Sequence, residues 1–266
     1  MKMTISSSIA RWGLLFLLCA GGCASTNASS NVSYRSTAES NYLKGMAELK
    51  DESFPDALRY FNFVKNKFPF SRFATLAELR IADTYFAQEK FIESADAYKL
   101  FVKFHPTHPQ VIDGYAAFRA AESYVRQIPG DWFLLPPGYE KDQVATREAV
   151  RELKIFVRTY ANSKYLEKGK QLYRQGLRRL AAHELYVARF YLEQGKPKAT
   201  ILRLEGVLQR YPEAGVHPEV MLLLGKTYLS LEKRAEARKT FVELTKKYPQ
   251  DYHAAKAKLY LRYLGD

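Results

Sequence analysis

One stretch near the C-terminal end constrains the fold more than any other. Its residues recur at intervals typical of a pair of antiparallel helices: Met221, Leu224, Gly225, Tyr228, Ala237, Phe241 and Pro249. We expect Gly225 to let the second helix press close to the first, and Tyr228 and Phe241 to fill the space beside it. Pro249 is expected to end the second helix. A single hairpin of this kind cannot bury its apolar face alone, so the stretch predicts similar neighbours.

The same phase recurs upstream, which identifies the pattern as tetratricopeptide repeats (TPRs). Matching residues are Gly45, Ala57, Phe61 and Pro69; Ala82, Tyr85, Tyr98 and Pro106; Ala121, Tyr124, Ala149 and Phe156; Ala188, Tyr191, Leu204 and Pro212. We therefore predict an all-α, right-handed superhelical solenoid of five TPR helix hairpins plus a C-terminal capping helix. Within a domain at 37–266, the expected repeats are about 38–70, 75–107, 111–162, 164–213 and 217–250, with the capping helix at 251–264.

The third repeat carries an insertion at 128–143, rich in proline and glycine, around the apolar run Trp132-Phe133-Leu134-Leu135. One interpretation is that this loop folds back and packs its aromatic residues. The alternative is that Trp132 and Phe133 contact a partner or a bound peptide.

The N-terminus has the order of an export signal. Lys2 and Arg11 precede an apolar run that is too short to span a bilayer as a stable helix, and Gly21-Gly22-Cys23 follows. Small residues before a cysteine resemble the bacterial lipobox, so we predict a lipoprotein signal peptide at 1–22 and lipidation of Cys23. An ordinary cleaved signal with a coincidental cysteine is the alternative. The Ser- and Asn-rich segment 23–36 is expected to be a flexible tether.

The composition argues against several classes of function. Cys19 and Cys23 are the two cysteines; the first would leave with the signal and the second would carry lipid, so neither a disulfide nor a cysteine metal site is expected. The net charge is +13, but lysine and arginine are scattered along the predicted helices and interleaved with glutamate, and this does not favour nucleic-acid binding. His105 and His108 are assigned to an inter-repeat turn and His183 to a helix, with no nearby acid cluster to complete a metal site. No catalytic motif is present, so we expect a non-enzyme without metal or cofactor.

The first helices of a TPR array line its concave face, and we predict that those of repeats one to three form an apolar, aromatic groove. The candidate lining residues are Tyr42, Met46, Leu49, Leu79, Phe86, Ala87, Tyr115, Phe118 and Val125, with Arg80 and Arg126 close by. Such a groove would suit an extended peptide with aromatic side chains, and an arginine could pair with its C-terminal carboxylate. The alternative is that several of these residues only pack between helices.

Several stretches resemble a known family. They are His105-Pro106-Thr107-His108-Pro109, Tyr160 to Tyr165, Leu180 to Tyr191, and Arg203 to Leu208 running on to Tyr211-Pro212. On these residues the chain resembles the BamD family, the TPR lipoproteins of the outer-membrane β-barrel assembly (BAM) machine. The likeness covers nearly the whole mature chain. Two features depart from the family: Ala161 replaces a proline, and the loop at 128–143 differs.

The resemblance implies a protein on the periplasmic face of the outer membrane, held by lipid alone. Its C-terminal repeats would dock the POTRA region of BamA, with Arg203 and Glu205 of the R-x-E-G stretch in the contact. Its N-terminal repeats would receive the C-terminal targeting signal of unfolded barrel proteins, and other BAM lipoproteins would be partners. The alternative is a different periplasmic TPR lipoprotein that organises envelope-integrity or cell-division partners.

Overall fold

The computed structural model describes residues 32–130 and 137–265, and over these ranges every regular element is a helix. The α-helices are α1 Ala38–Lys50, α2 Phe54–Lys67, α3 Arg72–Ala87, α4 Phe91–Phe104, α5 Pro109–Ile112, α6 Tyr115–Arg126, α7 Val144–Thr159, α8 Leu166–Glu193, α9 Pro197–Arg210, α10 His217–Ser230, α11 Arg234–Lys247 and α12 Tyr252–Leu264. A 3-10 turn lies at Gly138–Glu140. Each long helix packs against the next, and α1 also contacts α3 as α10 contacts α12. The predicted all-α solenoid of helix hairpins is therefore confirmed.

The hairpins are α1–α2, α3–α4, α6–α7, α8–α9 and α10–α11, followed by α12. Four of their turns use one residue in the left-handed region, at Glu52, Glu89, Gly195 and Glu232 (φ +58° to +67°). In the last of these, the amide of Lys233 donates back to the carbonyl oxygen of Tyr228 at 3.0 Å, and equivalent bonds occur in the other three. This backbone pattern ends the first helix and reverses the chain. The chain therefore reverses in the same way in these four hairpins.

A small residue on the first helix faces a fully buried aromatic residue on the second. A Cβ atom built on Gly225 would lie 2.4 Å from Cε1 of Phe241, and one built on Gly45 would lie 2.8 Å from Cε1 of Phe61. Both phenylalanines are buried. The expected role of the small position, which is to bring the two helices of a hairpin close together, is thus observed in the first and last repeats.

Repeat three starts later than its residue spacing suggests. The sequence indicated a start near Val111, but this residue belongs to the short helix α5, and α6 begins only at Tyr115. Gly114 separates the two helices with φ +81°, a conformation that side chains other than glycine rarely adopt. The hydroxyl of Ser163 donates to the carbonyl oxygen of Asp113 at 2.6 Å and ties this junction to the start of α8.

The end of the predicted tether is held against the first hairpin. Tyr34 stacks on Phe63 of α2, with ring centroids 4.0 Å apart. The backbone amide of Arg35 donates to Oδ1 of Asn41, and Nδ2 of Asn41 donates to the carbonyl oxygen of Arg35, both at 2.8 Å. Asn41 is fully buried. The chain is therefore fixed to the domain from Tyr34 onward.

Candidate functional site

Two of the predicted groove residues lie in the interior. Leu79 on α3 is 0% exposed and Phe118 on α6 is 2% exposed. Leu79 packs in the core formed by α3, α4 and α6, and Phe118 stacks on Tyr165 with ring centroids 5.1 Å apart. This corrects their assignment to an open groove, because no bound peptide could reach either side chain without unpacking the repeats.

The other apolar candidates are half-buried, apart from Ala87, which is exposed. They divide between two cores, with Tyr42, Met46 and Leu49 on the first and Phe86 and Tyr115 on the second. Val125 lines a separate cavity of about 550 Å³ between α6, α7 and α8. The surface along α1, α3 and α6 is therefore a shallow aromatic strip.

A carboxylate lies at the centre of this strip. Asp83 on α3 accepts hydrogen bonds from Nη1 of Arg80 at 2.5 Å and from the hydroxyl of Tyr115 at 2.8 Å. It also accepts one from the hydroxyl of Tyr98, a side chain that is fully buried. Burial and the adjacent Asp83 charge raise the pKa of Tyr115 to about 12, so both tyrosines stay protonated and act as donors. Asp83 thus joins α3, α4 and α6.

The next repeat carries a second carboxylate of the same kind. Glu122 on α6 accepts from Nη1 of Arg119 at 2.7 Å and from Nζ of Lys168 on α8 at 2.9 Å. Burial alone would raise the pKa of Glu122, but the hydrogen bonds and charges of Lys168 and Arg119 outweigh it and lower that pKa below its ordinary value. The guanidinium of Arg119 also lies 3.4 Å from the ring centroid of Phe86.

We call these two groups the charged ladder: Arg80, Asp83, Arg119, Glu122 and Lys168. Sequence reasoning missed all of it except Arg80. A signal was present, because Leu79-Arg80-Ile81-Ala82-Asp83 and Phe118-Arg119-Ala120-Ala121-Glu122 have the same order around the small position of repeats two and three. In each repeat the arginine and the acid stand three positions apart, which places them side by side on a helix.

The two arginines predicted near the groove differ in how they are paired. The Arg80 head group is engaged by Asp83. Arg126, in the last turn of α6, is exposed and makes no ion pair or side-chain hydrogen bond to any other residue that the structure describes. A guanidinium without a carboxylate partner keeps all its donors for a bound anion. Arg126 is therefore the better candidate for a peptide carboxylate.

A third carboxylate holds two arginines in the C-terminal half. Glu184 on α8 is nearly buried and accepts from Nη1 of Arg203 at 3.0 Å, while Nη2 of Arg210 lies 3.3 Å from its other oxygen. The hydrogen bond to Glu184 raises the pKa of Arg203 above its ordinary value. The side chains of Arg203 and Arg210 remain 42% and 51% exposed. The arrangement fixes two guanidinium groups on the surface of α9 and leaves part of each accessible.

Glu205, the other residue predicted to bind a partner, is also used within the chain. Its Oε1 accepts from the hydroxyl of Tyr228 on α10 at 2.7 Å. Burial and the charge of Glu205 raise the pKa of Tyr228 to about 12. Glu205 is exposed, so this bond braces α9 against α10 while leaving the carboxylate partly open.

Other predicted features can be placed only in part. Cys23 and the run Trp132 to Leu135 lie outside the described residues. His105, at the end of α4, has its Nε2 2.7 Å from Oε2 of Glu78. Within 32–130 and 137–265, no group of three or more His, Cys, Asp or Glu side chains could hold a metal ion. None of the helices described there is both long and apolar enough to cross a membrane.

Comparison with known proteins gives one consistent family. A family model described as outer membrane lipoprotein (YfiO) matches residues 35–240. The chain is 25% identical over 231 residues to the outer membrane protein assembly factor BamD of Caulobacter vibrioides, covering 86% of this chain and 72% of that protein. It is 24% identical over 220 residues to BamD of Neisseria gonorrhoeae, covering 80% of each. For BamD of Rickettsia prowazekii the values are 25% over 236 residues and 89% of each.

Among solved structures, a thermophilic TPR protein of Thermus thermophilus aligns over 86% of this chain and 98% of its own, at 15% identity with a TM-score of 0.34. The type IV pilus biogenesis factor PilW aligns over 84% of this chain and 99% of its own, at 12% identity with a TM-score of 0.28.

Proposed function

Because the chain belongs to the BamD family of outer membrane lipoproteins, we propose that it is a lipid-anchored scaffold of the BAM complex. The relatives are named outer membrane protein assembly factors, and that role is the general one for this chain. In the proposal, Cys23 carries the lipid, the C-terminal repeats dock BamA, and the N-terminal repeats bind the targeting peptides of unfolded barrel proteins. The protein acts by binding and has no catalytic role.

The observation that carries the docking proposal is the pair of arginines on Glu184. A buried carboxylate orients both guanidinium groups, so little side-chain freedom is lost when a partner binds. Each guanidinium has five N–H donors, and the bonds to Glu184 use a minority of them. An acidic surface of the BamA POTRA region would find Arg203 and Arg210 already in place, beside the exposed carboxylate of Glu205.

A charge reversal tests this docking surface. Replacing Arg203 by Glu should weaken binding of the purified POTRA region by about 30-fold, or about 2 kcal/mol, because an attractive contact becomes a repulsive one beside Glu184. The matched control is Arg158→Glu, at an exposed position in the last turn of α7. Titration calorimetry measures both. Equal affinities for the two variants would show that Arg203 does not belong to the interface.

The proposed peptide site is the aromatic strip, with Arg126 as the group that pairs with the terminal carboxylate. The half-buried ring of Phe86 offers an apolar edge to an aromatic C-terminal residue, and the rings of Tyr42 and Tyr115, farther along the strip, offer edges to the residues that precede it. Peptides that end in phenylalanine should bind more tightly as the free acid than as the amide. Arg126→Gln should abolish that difference, and Arg158→Gln should preserve it. An acid-to-amide ratio unchanged by Arg126→Gln would refute this assignment.

The alternative is a different periplasmic TPR lipoprotein, one that organises envelope-integrity or cell-division partners. Depletion of the protein in its own organism separates the two. The BAM proposal requires that barrel proteins in the outer membrane fall during depletion, before cell shape or division changes. Normal barrel levels after depletion would favour the alternative.

A further inference from the structure

The turn between α2 and α3 exposes an aromatic residue that the repeat does not require. Phe70 follows the helix-ending Pro69, and its side chain is fully exposed to solvent. The equivalent positions of the other repeats are polar: Thr107, Asn162, Glu213 and Gln250. The repeat fold therefore does not need an apolar residue there, and a fully exposed phenylalanine on a turn calls for another explanation.

The same turn is positively charged. No aspartate or glutamate occurs anywhere between Ala57 and Ala77. Lys65 and Lys67 lie in the last turn of α2, and Arg72 begins α3. None of the three makes an ion pair with another residue in the described part of the chain; Arg72 lies over the Phe73 ring at 4.9 Å. We call Lys65, Lys67, Phe70 and Arg72 the Phe70 turn.

The N-terminal segment enters the domain beside this turn. Tyr34 stacks on Phe63, and the ring of Phe63 meets that of Phe68 edge-on at 5.9 Å, two residues before Phe70. Tyr34 and Lys67 line the same surface hollow. Cys23 lies 11 positions before Tyr34, so a fully extended chain between them spans at most about 40 Å.

We propose that the Phe70 turn docks on the anionic lipid surface in which Cys23 is anchored. This rests on the lipid anchoring in the proposed function, because the short connection keeps the turn close to the bilayer. A phenylalanine flanked by lysine and arginine matches the membrane interface, where the ring enters the headgroup region and the cations meet lipid phosphates. The anchor supplies the affinity, and the turn fixes the orientation. Docking would hold repeats one to three at a defined tilt beneath the membrane.

The cysteine content of the chain allows a direct test. With Cys19 removed and Cys23 lipidated, a cysteine introduced at Asn66 is the sole free thiol of the mature protein. Asn66 is exposed in the last turn of α2 and leaves the Phe70 turn intact. The matched control is Lys246→Cys, at the equivalent position of repeat five. Each protein is labelled with a fluorophore and reconstituted in vesicles of phosphatidylethanolamine and phosphatidylglycerol that contain a headgroup nitroxide quencher.

We expect strong quenching at position 66 and little at position 246. Each basic residue near an anionic surface changes the ratio of docked to undocked protein by about fivefold, so Lys65→Gln with Lys67→Gln should lower it by about 25-fold. Phe70→Ser should also reduce quenching, whereas Lys246→Gln with Lys258→Gln should not when the label is at 66. Omitting phosphatidylglycerol, or raising the salt concentration, should reproduce the effect of the lysine substitutions.

Several results would overturn the proposal. One is equal quenching at positions 66 and 246. Another is quenching at position 66 that does not change with the substitutions or with the content of anionic lipid. Protection of the label at position 66 from the quencher that rises with protein density in the membrane would indicate that a second copy of the chain covers the turn. Protection of that label in native envelopes but not in pure lipid vesicles would indicate that a protein partner covers the turn. If mass spectrometry finds Cys23 unmodified, the anchor in the proposed function fails. The turn is then tested in a Cys23→Ser variant that is held on the same vesicles by an N-terminal histidine tag and a nickel-chelating lipid, and absent quenching at position 66 rejects it.

Discussion

Asp83 makes the charged ladder open to a quantitative test, because one carboxylate receives hydrogen bonds from three side chains. The change is Asp83→Ala. It removes the acceptor of Tyr98, whose ring is fully buried, and of Tyr115. It also leaves Arg80 without its carboxylate. After the change, the Tyr98 hydroxyl still accepts a hydrogen bond from Nε of Arg119 at 3.4 Å, but it has lost the carboxylate to which it donates.

The expected cost follows from these contacts. An unsatisfied buried hydroxyl costs about 1–3 kcal/mol. The Arg80 pair adds about 1 kcal/mol, because the exposed quarter of that side chain lets water replace part of the lost contact. Asp83→Ala should therefore lower the free energy of unfolding by about 3 kcal/mol. Tyr98→Phe alone should cost about 1 kcal/mol, because Asp83 keeps two donors. The double variant should cost clearly less than the sum, since the unsatisfied hydroxyl is gone.

Urea unfolding followed by circular dichroism measures these values, with hydrogen exchange on α3 and α4 as a local readout because repeat arrays can unfold in parts. The control is Asp96→Ala on the exposed face of α4, expected to be neutral within about 0.5 kcal/mol. Additive costs in the double variant, or an Asp83→Ala protein as stable as the control, would show that Asp83 does not organise the ladder.

Three further predictions concern stability. Glu122 has a lowered pKa, so its contribution to the free energy of unfolding is present above the unfolded-state pKa of 4.5 and is lost as the pH falls through the folded-state pKa. Glu122→Gln should therefore be less stable than the unchanged protein at pH 7 but should lose less stability on acidification. Equal slopes of the unfolding free energy against pH for the two proteins would contradict this. Gly225→Ala should destabilise by about 1–3 kcal/mol because its Cβ would overlap the ring of Phe241, and Phe241→Leu should restore part of the loss in thermal unfolding. Glu89→Gly should stabilise by about 1 kcal/mol because φ is +59°; a lower urea midpoint would refute that reasoning.

The spacing of small and aromatic residues predicted the hairpins, but it could not predict the depth of the groove. Tyr42, Leu79 and Phe118 each lie three positions before the small residue of their repeat. Leu79 and Phe118 are buried because their side chains pack within the inter-helix cores of repeats two and three. Tyr42 stays half-buried at the end of the array, between Phe61 and Phe73 at centroid distances of 5.8 and 5.5 Å. Periodicity identifies a face, and exposure depends on what packs against that face.

Residue spacing alone also could not predict which charged side chains form pairs. The order arginine, small residue, acid in repeats two and three predicts neighbours on one helix turn. It does not reveal that Lys168, 46 positions after Glu122, completes the second pair. Nor does it reveal that Glu184 contacts Arg203 and Arg210 on a different helix. These contacts depend on how α8 crosses its neighbours, which the tertiary packing determines.

The three carboxylates explain why the two halves of the solenoid would recognise different chemistry. In the N-terminal half, Asp83 and Glu122 hold arginines whose side chains are only 25% and 22% exposed, so these two arginines stabilise the domain itself; the exposed cation on Glu122 is Lys168, at 59%. In the C-terminal half, Glu184 holds two arginines that are about half exposed, so the same chemistry displays positive charge to solvent. An acidic partner would therefore be drawn to α9. A peptide on repeats one to three would meet mainly aromatic edges, with Arg126 as the cation proposed for its terminal carboxylate.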